Sequence, residues 1–127
     1  TDLNDLPGSY ADEATSTVTT TTTSTTDVLM TGMTITPPAG TYWVIASVDL
    51  MHSNNGDEIY ISIYVDGTQI AHSERMIQNP RWVNASWEGF TQALVTVDGT
   101  DAIELRWRTD DNTATANNRA IGVMRVS

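Results

Sequence analysis

TYWVIASVDLMHSNNGDEIYISIYVDG, residues 41–67, decides the fold. Its two halves are rich in aromatic and β-branched residues and are split by Asn54-Asn55-Gly56-Asp57. In the second half Ile59, Ile61, Ile63 and Val65 share one parity, and Tyr60, Ser62 and Tyr64 the other. That is a half-buried strand, because successive side chains of an extended chain point to opposite faces. The first half is apolar on both parities, with Trp43 and Ile45 set between Tyr42, Val44, Ala46, Val48 and Leu50. Such a strand is expected to be covered on both faces near its start. Asn-Gly readily supplies positive φ, so 54–57 is predicted to be a hairpin turn joining the two strands.

The same grammar continues outward in both directions. In DVLMTGMTITPP (27–38), Val28 and Met30 change parity to Met33 and Ile35 around Gly32, which predicts a bulge. A Pro/Gly turn follows at 37–40. Asp66-Gly67 is a second turn, leading into TQIAHSERMIQ. Residues 79–89 read as loop, 90–101 as a strand with a Gly turn at 98–101, and 110–118 as a polar loop. AIELRWRT (102–109) sets Ile103, Leu105 and Trp107 inward and Glu104, Arg106 and Arg108 outward, and RAIGVMRV (119–126) closes the chain. No helical period extends over ten residues. Short strands about ten residues apart with Gly turns predict an all-β sandwich or barrel, and about eight antiparallel strands predict a jelly roll.

Before this domain, assigned to 27–127, stands an extended N-terminal arm, assigned to 1–26. Residues 1–13 carry four acids and no base around Pro7-Gly8, with Leu3, Leu6 and Tyr10 as apolar handles. Residues 15–26 hold nine Thr, two Ser and one Val. Thr is stiff at χ1 and favours extended backbone, yet such a run buries almost no apolar area and needs a partner.

The 127 residues fit one domain with a core that needs no staples. There is no Cys, which removes disulfides and thiol chemistry. No apolar run approaches a membrane span, and no signal peptide is visible. Thr1 tolerates removal of an initiator Met, so a nearly intact cytosolic product is expected. The net charge of −10, from sixteen acids and six bases, opposes nucleic acid and anionic membranes. Every base is Arg (75, 81, 106, 108, 119 and 125) and Lys is absent. Arg is favoured and Lys depleted at interfaces; a base-composition bias of a GC-rich genome reads equally well.

Chemistry is thin. His52 and His72 fall in no ligand motif and read as strand-end or surface residues, so no metal or cofactor is expected. No nucleophile elbow is present, and no acid–base constellation is discernible, so no enzyme is expected. Acids at Asp57-Glu58, Asp98/Asp101 and Asp110-Asp111 coincide with turns, where Asp belongs. Asn84-Ala85-Ser86 fits a glycosylation sequon of low specificity. Arg81, Trp82 and Trp87 in the loop-like stretch suit an interface or a sugar platform, or they cap the sandwich. Tyr60 and Tyr64, opposite the Ile ridge, suit a subunit interface or a facing sheet.

The order of signals from Pro38-Ala39-Gly40-Thr41-Tyr42, through Val65-Asp66-Gly67-Thr68 and Ile70-Ala71-His72-Ser73-Glu74-Arg75, to Val97-Asp98-Gly99-Thr100-Asp101, Ile103–Arg108 and Arg119–Val126 carries a resemblance. It resembles the C1q/tumour-necrosis-factor type of jelly roll. More closely, it is similar to small jelly-roll proteins of tailed bacteriophage virions, including head decoration (cement) proteins. The resemblance covers about residues 27–126 and implies a homotrimer on the outer surface of the virion, made in the host cytoplasm. Its partner would be the major capsid protein, reached by an arm contacting through Leu3, Leu6, Tyr10, Thr15, Thr17, Val18 and Thr19. The missing collagen-like stalk and disulfide favour a virion protein over an animal signalling ligand. The competing expectation is a tail or fibre module binding a receptor or glycan through Trp82 and Trp87, with a trimeric tail or baseplate domain as a third.

Overall fold

The computed structural model describes residues 10–79 and 85–127. Ten strands form two five-stranded antiparallel sheets stacked as a jelly-roll sandwich. The strands are β1 (Ala11–Ser16), β2 (Thr20–Thr22), β3 (Val28–Ile35), β4 (Gly40–His52), β5 (Glu58–Val65), β6 (Thr68–Gln69), β7 (Arg75–Gln78), β8 (Trp87–Val97), β9 (Ile103–Thr109) and β10 (Ala114–Arg125). Sheet I runs β1-β10-β4-β8, with β2 also on β10; sheet II runs β3-β9-β5-β6, with β7 also on β5. From β2 onward every connection passes between the sheets except those joining β5, β6 and β7.

The expected parities hold in the interior. Ile59, Ile61 and Ile63 meet Ile103, Leu105 and Trp107 from sheet II, and Tyr42, Val44, Val48, Leu50 and Ile121 from sheet I. Trp107 and Tyr42 are the largest buried side chains, and the Tyr42 hydroxyl donates to the Pro38 carbonyl at 2.8 Å. A buried phenol needs such a partner. The β3 register shifts between Leu29 and Thr34, with Gly32 at φ +86°. Met30 and Met33 are thereby both buried. Asp66 and Gly67, both at positive φ, make a two-residue hairpin between β5 and β6.

Three loop readings are corrected. Residues 54–57 do turn, with Gly56 at φ +83°, but β4 and β5 lie in different sheets and are not a hairpin. The turn's polar groups bond across the end of the sandwich instead: Gly56 N–H donates to Asn79 O, and Ser53 N–H to Thr113 O. Residues 87–89 and 114–118, expected in loops, are strand. Trp87, Glu88 and Gly89 pair with Leu50, Asp49 and Val48, while Ala114 and Ala116 pair with His52 and Leu50. Pairing to the long β4 overrides local polarity there.

Candidate functional site

Sheet I presents an apolar outward face. Strand register places Ala11, Met124, Trp43 and Leu94 in one row, Glu13, Gly122, Ile45 and Gln92 in the next, and Thr15, Ala120, Ser47 and Phe90 in a third. Ile45 is 41% exposed, Phe90 48%, Met124 50% and Leu94 52%. Between β1 and β4 the face sinks into an open depression of about 550 Å³, lined by Trp43, Ile45, Met124 and Gly122 with Asp12 and Glu13 at the β1 side. The coverage expected for both faces of β4 therefore holds on its inner parity, while Ile45 on the other parity lies bare. Sequence reasoning singled out Trp43 and Ile45. It missed Phe90, Leu94 and Met124, although each breaks the alternation of its strand.

On the outward face of sheet II, Leu29 and Met76 are also exposed, at 40% and 50%, but the charged and aromatic groups are paired within the chain. The Arg108 guanidinium lies 4.0 Å from the Tyr60 ring centroid and the Arg106 guanidinium 4.4 Å from that of Tyr64. Arg108 also bonds Asp27 at 3.0 Å and Glu74 at 2.9 Å, and Arg106 bonds Glu104 at 2.7 Å. The Tyr60 hydroxyl donates to Glu58 and the Tyr64 hydroxyl to Asp27, each at 2.6 Å. Burial, then the Asp27 carboxylate, push the Tyr64 phenol up to about 12. Chiefly the hydrogen bond from Arg108 holds the Glu74 carboxyl below its usual range. Tyr60 and Tyr64 thus sit in a ladder of cation–π contacts and ion pairs within one chain.

The Thr-rich segment lies on the sheet. β1 and β2 both pair with β10, broken at the exposed residues 17–19. Thr15 pairs with Ala120; the Thr19 hydroxyl donates to Asn117 Oδ1 at 2.8 Å; Thr17 and Val18 are exposed. Tyr10 packs edge-on against Tyr42, centroids 5.9 Å apart. Arg119, not singled out from sequence, fixes this course. It is 5% exposed and donates to the carbonyls of Val18 (2.8 Å), Thr31 (2.9 and 3.0 Å), Asn117 (2.8 Å) and Ala116 (3.4 Å). Burial lowers its pKa from the usual arginine value. Leu3, Leu6, Arg81 and Trp82 lie outside the described residues. Trp87 opens β8 half-buried, on the strand's inward parity.

At the loop end, the ligand atoms of His52, Asp57 and Asp110 come within 4.8 Å of one another. Each already has a structural duty. His52 Nε2 lies 3.0 Å from the Asp111 carbonyl and 2.8 Å from Thr109 Oγ1, and Nδ1 accepts the Asn54 N–H at 3.0 Å. Asp57 accepts from Asn112, and Asp110 from the Glu58 N–H. This arrangement ties two inter-sheet loops together. Asp98 likewise accepts the N–H and hydroxyl of Thr100, which lowers its pKa and closes a turn.

No protein-family model and no curated protein matches the chain. Solved structures do resemble it. One is the Eiger TNF of S. frugiperda, with TM-score 0.57 and 11% identity over 95% of this chain and 94% of that one. Another is the VP2 subviral particle of infectious bursal disease virus, with TM-score 0.63 and 12% identity over 92% of this chain and 32% of that one. A third is rabbit GITRL, with TM-score 0.51 and 17% identity over 81% and 78%. The chain therefore spans nearly all of the insect TNF but about a third of the viral chain. At these identities the likeness is one of fold: a jelly roll of the kind found in TNF-type and viral capsid proteins.

Proposed function

We propose that this chain is a bacteriophage head decoration protein: a non-enzymatic homotrimer on the outer surface of the virion that binds the major capsid protein. The observation that carries the reading is the apolar outward face of sheet I, beside a sheet II whose arginines and tyrosines are paired within the chain. Contiguous exposed apolar surface marks an interaction site, and a second copy of the chain is the occupant we assign to it. β1 opens at Ala11, in the first apolar row, with Tyr10 just before it. Leu3 and Leu6, with Thr15, Thr17, Val18 and Thr19 on the exposed edge, would then run along capsid protein by strand addition, anchored where Tyr10 packs on Tyr42. Three arms on one trimer add avidity, and binding only to the expanded shell stabilises that shell by linkage.

The test has two parts. Ile45→Glu places a carboxylate in the middle of the apolar face and should convert a trimeric mass in light scattering to a monomeric one. Deleting residues 1–9, which leaves β1 and β2 in place, should lower occupancy on purified heads. A wild-type monomer would remove the trimer from the reading. Unchanged occupancy would remove the arm.

A further inference from the structure

One end of the sandwich gathers an imidazole and two carboxylates from three strand ends. His52 closes β4 in sheet I, while Asp57 precedes β5 and Asp110 follows β9, both in sheet II. Their ligand-type atoms lie within 4.8 Å of one another, with His52 Nδ1 3.9 Å from Asp57 Oδ2. Bonds of ~2.1 Å set the ligands of a tetrahedral Zn2+ roughly 3.4 Å apart, so each atom need move in by less than about 1 Å. Among the described residues no arginine neutralises the two acids. Arg106 and Arg108 are held by Glu104, Asp27 and Glu74, and Arg125 pairs with Tyr42 near the far end of β4.

The ring is held as a ligand's ring is held. Nε2 lies 3.0 Å from the Asp111 carbonyl, which can only accept, so the proton sits on Nε2 and Nδ1 keeps its lone pair. Metal-bound histidines anchor their other N–H in this way, which fixes tautomer and orientation. Nδ1 accepts the Asn54 N–H at 3.0 Å, the one bond an ion displaces. Asn112 takes Asp57 Oδ2 and the Glu58 N–H takes Asp110 Oδ1, so each carboxylate keeps its other oxygen. His52 is buried, Asp57 half-buried and Asp110 exposed, which gives the group an entry path from solvent. Asn79 is an independent sign. It is 2% exposed, its Nδ2 donates to Asn54 O at 3.2 Å and its N–H to Asp57 O at 3.1 Å, yet its buried Oδ1 has no donor among the described residues. That oxygen stands against the same turn, where a water carried by an ion supplies the missing donor.

We infer that His52, Asp57 and Asp110 form a binding site for a divalent transition ion, with Zn2+ the best fit. An imidazole beside two carboxylates suits such an ion better than Mg2+ or Ca2+, which prefer oxygen alone. The ion ties the end of β4 in sheet I to the ends of β5 and β9 in sheet II, and its binding stabilises the folded chain by linkage.

Titration of the full chain with Zn2+ tests the site. Saturating Zn2+ should raise Tm by about 5 °C or more. In NMR it should shift the ring signals of His52 and leave those of the exposed His72 in place. Asp57→Asn and Asp110→Asn keep an acceptor for Asn112 and for the Glu58 N–H, so their metal-free melts should match the wild type. Each should weaken Zn2+ binding in calorimetry by about tenfold or more. Asp98→Asn, in a different turn, should bind as the wild type does. Unmoved His52 signals, or both variants binding as tightly as the wild type, overturn the site. An equal loss in Asp98→Asn shows an ion held only by the acidic surface and overturns it as well. Should a variant melt early, the His52 signals of the wild type decide alone.

Discussion

Tyr64 shows how single side chains make one face of this sandwich inert. Its half-buried phenol donates to Asp27, which also receives Arg108, so ionisation is deferred to about pH 12. Because the folded value lies above the ordinary one, the stabilisation is complete below pH 10 and is lost as pH rises through about 12. Asp27→Asn should bring the Tyr64 transition down toward 10, which a phenolate absorbance titration reads directly. Glu74 behaves in the opposite sense. Its carboxyl is lowered, so its contribution is present at neutral pH and is lost as acid protonates it below the usual carboxylate range. A face whose hydroxyls and guanidinia are engaged has few groups left for a partner, which turns attention to sheet I.

At the scale of elements, three irregularities converge on one guanidinium. The β10 register slips between Ala116 and Arg119, β3 bulges at Gly32, and the N-terminal strand breaks at 17–19. Each frees carbonyls from the ladder, and Arg119 collects them. Arg119→Met strands several buried acceptors at once and should cost about 3 kcal/mol in urea unfolding. Amide exchange at Thr20–Thr22 should rise with it; retained protection there would show that the β2 ladder holds without the guanidinium. The parities of β5 and β9, the Gly32 bulge and the Asp66-Gly67 turn were legible because each is set by neighbours in sequence. The role of Arg119 was not, since its acceptors lie up to 101 residues away. Nor was the fate of Asn54-Asn55-Gly56-Asp57. The same residues serve a hairpin or an inter-sheet loop, and only the pairing of β4 with β10 and β8 decides. The bare face of sheet I was half legible, through the double parity of Trp43 and Ile45.

For the whole molecule, an apolar face that no other described residue covers would, on the proposed self-association, make stability a property of concentration. Copies joined through Ile45 and Leu94, as proposed, would be stabilised by mass action. The wild-type Tm should therefore climb with protein concentration, whereas that of Ile45→Glu should stay flat; calorimetry over a dilution series distinguishes them. A flat wild-type profile would show that the face contributes nothing to stability. The net charge of −10 sets the complementary limit, since an acidic surface would keep the proposed assemblies apart from one another.

The broken N-terminal strand has a consequence for tolerance to insertion and deletion. Thr19–Thr23 are five identical residues, so adding or dropping one of them changes the length of the tract and not its content. In most strands a one-residue slip inverts which side chains face inward. Here a threonine replaces a threonine at each rung of β2, and the unpaired residues 17–19 and 23–27 on either side take up the change in length. A one-residue change in the length of this tract should therefore leave the sandwich folded, which a thermal melt of a Thr-insertion variant reads.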